Sequence, residues 1–507
     1  MNAGYPIARS AHYFPDKTAF VIDGEAVSYR ELNRRVNKLA NALLALGLKK
    51  GDRVGLLFHN SYGYLESNLA LYKAGMVWVR LNARLSHKEI QDMLDDAGAL
   101  ALIHGPEFTE TVGKVGSEVR WVIQKGEGPG LNYDELMEKG DDQEPAVDVS
   151  LDDLSDLWYT SGTTGAPKGI MLTHRNIMTC TQFLLSDVYD ISGDDNFLTA
   201  GALSHAGSVR ILPFIIRGAT CYLHSHFDPE KILQETEASN ITDWAVVPTM
   251  LIGIMDHPAF GRFNLSSLKR VTYAGSPLPV ERIKEALDKF GPVLDQSYGQ
   301  AESIITITHL SRHEHLFQDD PAREKRLASA GREYTGVQIR IVGDNDQVLA
   351  PHEIGEVVTR SDLVMRGYWN QPEKTREAFK GGWLHTGDIG YLDEGGYLFL
   401  VDRKHDKIIT GGLNVFPREV EEVLSTHPSV AQVAVFGVKD PFWGEAVTAA
   451  IVLRADAMAT EDELKAFCKE HLAGYKRPKK IAFMGDLPKN LYGKVLRKEL
   501  KKQFEKA

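Results

Sequence analysis

Eleven residues concentrate anion-binding chemistry: Tyr159-Thr160-Ser161-Gly162-Thr163-Thr164-Gly165-Ala166-Pro167-Lys168-Gly169. Gly162, Gly165 and Gly169 let backbone N–H groups approach an anion closely. Thr160, Ser161, Thr163 and Thr164 offer hydroxyl donors, and Lys168 brings a full charge. That combination suits a polyphosphate. A Walker loop counted from Gly162 would need glycine at 167, where the chain has Pro167, so a P-loop NTPase is disfavoured. Composition alone would also fit a solvated turn between a strand and a helix, and the motifs further along the chain decide between the two.

The elements that must hold this loop follow from periodicity. Ser28 and Glu31 have capping-box spacing, and Leu32, Val36, Leu39, Leu43 and Leu46 mark one helical face, predicting a helix from about 29 to 46 that Gly47 closes. A strand at Val54–Phe58, a helix at Tyr62–Lys73 and a strand at Met76–Leu81 come next. A box at Ser86/Glu89 then opens another helix before a strand at Ala101–His104. Alternating strands and helices give an α/β class with mainly parallel sheets. The Gly-, Asp- and Glu-rich segment Lys125–Pro145 reads as a surface excursion. A hairpin-like unit ends at Val401, and the charged run Asp402–Asp406 reads as a linker. Beyond it lie a helix at Arg418–Ser425, strands at Val430–Phe436 and Ala446–Leu453, and a helix capped by Thr460 and Glu463. The expected division is 1–401 and 402–507: a large multi-subdomain domain and a small α+β domain.

At 507 residues the chain exceeds the size at which one core keeps growing, and 43% hydrophobic with 25% charged residues is a globular composition. A net charge of −11 argues against a nucleic-acid partner, although 489–506 is locally basic. There is no 18-residue apolar run, hence no membrane span, and neither end carries a leader or sorting tripeptide, so a cytoplasmic address is expected. Cys180, Cys221 and Cys468 are too few and scattered for a disulfide framework or thiolate metal site. Oligomeric state is left open, a homodimer being one option.

Taken in order, the loop at 159–169, Tyr298-Gly299-Gln300-Ala301-Glu302, Gly382–Asp388, Asp402–Asp406, Gly411-Gly412-Leu413-Asn414 and Leu487–Lys494 resemble the adenylate-forming enzymes, and within them acyl-CoA and aryl-CoA synthetases. The similarity runs from about Phe14 to Leu500. It implies a large N-terminal domain with a mobile C-terminal lid, ATP and CoA as co-substrates, Mg2+, and a small carboxylic acid activated first as acyl-adenylate. By the resemblance Lys494 reaches the carboxylate and α-phosphate, Thr163, Thr164 and Lys168 hold the outer phosphates, and Glu302 meets magnesium. The nucleotide would further meet Gly275, Ser276, Pro277 and Gln296–Glu302, including Ser297, Gly299, Gln300 and Ala301. Tyr298 would lie along the adenine, Gln296 at its amino group, and Asp388 and Arg403 on the ribose. Gly411, Gly412, Trp443, Tyr475, Arg477 and Lys479 would receive CoA, and His405 would sit at the hinge.

The implied acyl pocket involves His205, Val247, Pro248, Ala274, Gly275 and Gln300. Ser204-His205 stands where many relatives have Phe-His, and Arg210 follows within one or two helical turns, with the outer helix face as its expected place. Ala301 replaces a common threonine, His405 a common Asp or Lys, and Leu491-Tyr492 a common Pro-Ser or Pro-Thr. The favoured activity is an AMP-forming ligase for a medium- or long-chain fatty acid. The alternatives are an aryl- or hydroxycinnamate–CoA ligase, a stand-alone adenylation enzyme with another acceptor, and, more remotely, a non-catalytic acyl or nucleotide sensor.

Overall fold

The computed structural model describes residues 2–116, 119–160, 168–317, 320–403, 406–411, 413–454, 457–489 and 495–505, without the side chains of Thr160, Ala206, Ala322, Arg403 and Asn414. Ser161, Gly162, Thr163, Thr164, Gly165, His405, Gly412 and Lys494 therefore lie outside the described residues. The chain forms two compact units, Met1–Ile339 with Thr359–Leu384, and Arg340–Val358 with His385–Ala507. This is not the linear division at 402, since 340–358 and 385–401 belong to the second unit.

The first unit holds two sheets. In a nine-stranded sheet, Leu294–Tyr298, Arg270–Ala274, Asp243–Val246, Asn196–Thr199, Thr220–Leu223 and Thr18–Ile22 run side by side and parallel, with antiparallel strands at both edges. An eight-stranded sheet has Leu154–Thr160 and Lys168–Thr173 as an antiparallel pair beside Val77–Arg80, Arg53–Leu57 and Ala101–His104, which are parallel to one another and to Leu154–Thr160. Helix Tyr29–Ala45 buries Leu32, Val36, Leu39 and Leu43, each contributing about 1.5–3 kcal/mol by leaving water. Its Ser28 cap accepts from Glu31 N–H, but the Glu31 carboxylate pairs with Arg34 at 2.8 Å, so this cap is half a box. At Ser86/Glu89 and Thr460/Glu463 both halves form.

The segment Lys125–Pro145 lies at the surface, as expected, with Tyr133 as its one buried residue. It contains helix Tyr133–Lys139, whose Tyr133 is buried and donates to Glu66 at 3.0 Å. Glu144 accepts from Lys73 at 2.7 Å. A partner far along the chain, not local composition, holds this stretch in place.

Beneath the starts of the parallel strands runs a line of buried charge. Arg270 reaches Asp243 at 2.8 Å and Asp295 at 3.1 Å, and Asp295 also meets His309 at 2.7 Å. Burial pushes the Asp243 carboxyl up, against the pull of Arg270. Each charge in this line has a partner, which is the condition for tolerating it in a core.

In the second unit Val430–Asp440 and Gly444–Leu453 pair antiparallel, joined by Ile408–Thr410, Leu413–Val415 and Lys480–Phe483. Helices Pro417–Ser425 and Glu461–His471 supply Val420, Leu424, Leu464 and Cys468 to its core.

Candidate active site

Parallel strands present their carboxyl ends on one edge, where open α/β sheets place ligands. Four neighbouring strands do so here. Gly201–His205 follow Asn196–Thr199, Val247-Pro248 follow Asp243–Val246, Gly275-Ser276-Pro277 follow Arg270–Ala274, and Gly299–Glu302 follow Leu294–Tyr298. The structure thus brings the expected acyl and adenine residues of the first unit to a single sheet edge. Gly275, Ser276 and Pro277 are exposed there, and Ala274, Val247, Gln296, Tyr298 and Gln300 are half-buried. Gly275 has φ +95°, a conformation that favours glycine.

The turn after Tyr298 is strained. Ile304 and Ile305 both adopt positive φ, 44° and 54°, which costs on the order of 1–3 kcal/mol for a β-branched residue. Two bonds hold it: Ile305 N–H donates to Gln300 O at 2.8 Å, and Met365 N–H donates to Glu302 O at 2.7 Å. The folded-back chain lies so near Gly299 that a Cβ there would stand 2.3 Å from the Ile305 carbonyl carbon. Only glycine fits, and the result is a fixed position for Gln300-Ala301-Glu302.

The expected phosphate loop springs from a two-stranded stem. Thr160 pairs with Lys168 and Tyr159 with Gly169, so the ends of 161–167 are held side by side. Gly367–Tyr368 adds as an edge strand to Lys168–Thr173. Tyr368 Oη donates to Glu302 Oε1 at 3.0 Å, and Lys168 Nζ lies 5.2 Å from the centre of its ring. Burial and the Glu302 charge push the Tyr368 phenol well up, so it stays a donor. Tyr368 therefore joins the two charged residues singled out from sequence, and the sequence reading missed it. Its only local signal is the preceding Gly367, at φ +146°.

Among the described residues no three His, Cys, Asp or Glu side chains gather as a metal cage. Glu302, one carboxylate with a phenol on one oxygen, is a donor set that fits Mg2+ taking the rest of its shell from phosphates and water.

His205 stands edge-on to Trp158, with ring centres 5.0 Å apart. Burial and neighbouring Arg80 pull its ring down to about 4, so it is neutral at pH 7. Arg80 is itself locked between Trp78 and Trp158 and paired with Asp156 at 2.7 Å. Arg210 departs from expectation. It is 4% exposed, not on an outer face, and donates to Tyr189 Oη at 3.2 Å. The hydroxyls of Tyr334 and Ser297, 2.7 Å apart, belong to the same buried neighbourhood.

In the second unit Asp388 and Arg403 sit directly opposite one another on a hairpin. Trp443 packs under Gly411, and Lys479 Nζ lies 4.5 Å from the centre of a Trp443 ring. Arg477 instead spends its donors on the carbonyls of Leu472, at 2.8 Å, and Lys469, at 3.3 Å, and Tyr475 packs against the core. Arg497, another residue not foreseen, binds Glu421 at 2.7 Å and Asp406 at 2.9 Å and lies 3.9 Å from Asp402.

Comparison with known proteins agrees with this geometry. Residues 7–369 match the family of AMP-binding enzymes, and residues 419–494 match the AMP-binding enzyme C-terminal domain. A feruloyl-CoA synthase of an Amycolatopsis species is 39% identical over 99% of this chain and 98% of its own. A medium/long-chain-fatty-acid–CoA ligase of Mycobacterium tuberculosis is 35% identical over 94% and 85%. The o-succinylbenzoate CoA synthetase of Bacillus subtilis, solved with its acyl-adenylate, superposes with a TM-score of 0.87 at 31% identity, covering 99% of this chain and 98% of its own. With strand-end site, loop stem and both domain matches in agreement, the chain belongs to the AMP-binding, adenylate-forming enzymes, as an AMP-forming acid–thiol ligase of the acyl- and aryl-CoA type.

Proposed function

We propose that the acid is a hydroxylated cinnamate-type acid, in place of the fatty acid favoured from sequence. Arg210 carries this reading. Its guanidinium is buried, and among the described residues it bonds only Tyr189. If the tail of the acid reaches Arg210, an aliphatic chain there would leave the guanidinium without a charge partner, at a cost of several kcal/mol. A phenol or methoxy oxygen at the far end of an aromatic acid would take up its remaining donors. The feruloyl-CoA synthase relative supports the same choice.

In this reading the carboxylate attacks the α-phosphorus of ATP and pyrophosphate leaves. CoA thiolate then attacks the acyl carbon and releases AMP. Lys168, with Thr163 and Thr164, steadies the departing phosphates, and Lys494 faces the charge developing at the α-phosphoryl group. Magnesium, held by Glu302 and the phosphates, would neutralise the leaving pyrophosphate. Neutral His205 closes the acyl side without competing for the carboxylate. Asp388 and Arg403 take the ribose hydroxyls. Gly411, Gly412, Trp443 and Lys479 receive CoA, with Tyr475 and Arg477 shaping that edge from behind, and the swivel lies at 402–406 around His405. A reducing compartment such as the cytoplasm suits three buried free thiols.

The test is a comparison of kcat/KM for dodecanoate, cinnamate, 4-hydroxycinnamate and its 3-methoxy derivative, in the parent and in Arg210→Leu. The hydroxylated acids should lead in the parent, and the variant should lose about tenfold on them, the order of one charged hydrogen bond, while cinnamate changes little. Dodecanoate ranking first, or equal losses on all acids, would overturn the reading.

A further inference from the structure

Tyr273 occupies the strand position opposite Gln296. Its Oη lies 3.2 Å from the terminal carboxamide of Gln296 and 3.0 Å from His315 Nε2. Tyr273 and His315 are both fully buried. A phenol has one proton, so it cannot donate to both neighbours.

The far side of His315 decides which neighbour receives it. His315 Nδ1 lies 2.8 Å from the Ser311 carbonyl. A carbonyl only accepts, so Nδ1 carries the hydrogen. Burial keeps the ring neutral, pulled down to about 4, which leaves Nε2 as a lone pair. The Tyr273 proton goes to His315, and toward Gln296 the phenol offers only lone pairs. The oxygen and nitrogen of a carboxamide are told apart by their partners. Gln296 must therefore turn its NH2 to Tyr273 and its oxygen away from it.

We propose that Tyr273 and His315 are positioning residues that hold Gln296 with its carboxamide oxygen toward the nucleotide base, so that the site takes a 6-amino purine and refuses a 6-oxo purine. The inference rests on the reading that Gln296 meets the base. A glutamine free to rotate would donate to a 6-oxo group as readily as it accepts from a 6-amino group. Held as described, it puts oxygen against oxygen in the second case. Selectivity would then come from the buried relay and not from Gln296 alone.

The experiment measures pyrophosphate release by the full-length enzyme with ATP, inosine triphosphate and purine riboside triphosphate, at one fixed acid. The ATP/inosine ratio of kcat/KM within each variant is independent of how much of that variant is folded. Tyr273→Phe and His315→Leu should each lower that ratio about tenfold, the order of one hydrogen bond. The ATP advantage over purine riboside triphosphate should shrink with it, mainly through KM, while kcat at saturating ATP holds within about threefold. A purely structural role would slow all three nucleotides alike and leave the ratios unmoved, which would refute the relay. Gln296→Leu separates the two layers. If it erases discrimination while Tyr273→Phe and His315→Leu keep it, the relay is wrong and the reading of Gln296 stands. If Gln296→Leu keeps discrimination, Gln296 does not meet the base and both fall.

Discussion

Replacing Tyr368 with phenylalanine removes one oxygen from the site and little else. The ring stays on its edge strand, with Lys168 Nζ 5.2 Å from its centre, so packing and the cation–π contact persist. What goes is the 3.0 Å bond to Glu302. A hydrogen bond to a charged partner contributes about 1.5–3 kcal/mol, which corresponds to roughly 10- to 150-fold in rate if Glu302 must be held for the adenylation transition state. Pyrophosphate release under limiting ATP should therefore fall at least about tenfold, and the half-saturating magnesium concentration should rise. The thioester step, started from synthetic acyl-adenylate and CoA, should change less than about twofold, because it involves no pyrophosphate. Tyr368→Leu, which also deletes the ring beneath Lys168, should be worse than Tyr368→Phe in the first step alone. If Tyr368→Phe adenylates at the parental rate with parental magnesium dependence, the bridge between Lys168 and Glu302 has no part in phosphate handling.

Three further outcomes are expected. Gly299→Ala would place a methyl 2.3 Å from the Ile305 backbone, so it should cost about 1–3 kcal/mol in urea denaturation and, by shifting Glu302, slow pyrophosphate release more than about tenfold. His174 and His315 are buried with rings held at about 4; since the unfolded rings bind protons from about 6.5 downward, stability is full above that pH and falls toward 4, with each group losing about 2 kcal/mol by pH 5. His174→Leu should flatten the fall in urea midpoint between pH 7 and 5, and an unchanged slope would remove this histidine from the account. Lys494→Ala should lose adenylation by about 10²–10³-fold, the order for a preorganised charge at a developing oxyanion, with thioester formation from acyl-adenylate less affected; equal rates of acyl-adenylate formation would reject its assignment.

Much of the framework was readable because it is local. Caps at Ser86 and Thr460 and the Leu32–Leu43 stripe act within a few residues, and the helices formed where they point. The segments at 275–277 and 299–302 were readable because each directly follows a strand of the parallel sheet. What escaped depends on partners far along the chain. Tyr368 reaches Glu302 through an edge strand that pairs with residues about two hundred positions earlier. Tyr133 is buried and donates to Glu66, and Arg210 is buried against Tyr189 where the usual exposure of arginine suggested solvent. Ile304 and Ile305 gave no warning at all, since β-branched residues are among the last expected at positive φ. The half-formed cap at Ser28 shows a local rule yielding to a local competitor, with Arg34 taking the Glu31 carboxylate.

The second unit poses a different energetic problem, because the proposed hinge must turn without unfolding what surrounds it. Arg497 sets the terms. It binds Asp406 and Glu421 at 2.9 and 2.7 Å but lies 3.9 Å from Asp402. Glu421 lies beyond the swivel segment 402–406, while Asp406 and Asp402 stand at its two ends. A rotation at His405 would give up at least that long contact and the 2.9 Å bond from Arg418 N–H to Asp402, the latter about 1.5–3 kcal/mol for a hydrogen bond to a charged group. Differences of that size are within reach of what a ligand contributes by binding one arrangement better than another. The Arg497 clamp would thus tie helix Arg497–Glu505 to the distal flank of the hinge, so that the two turn together.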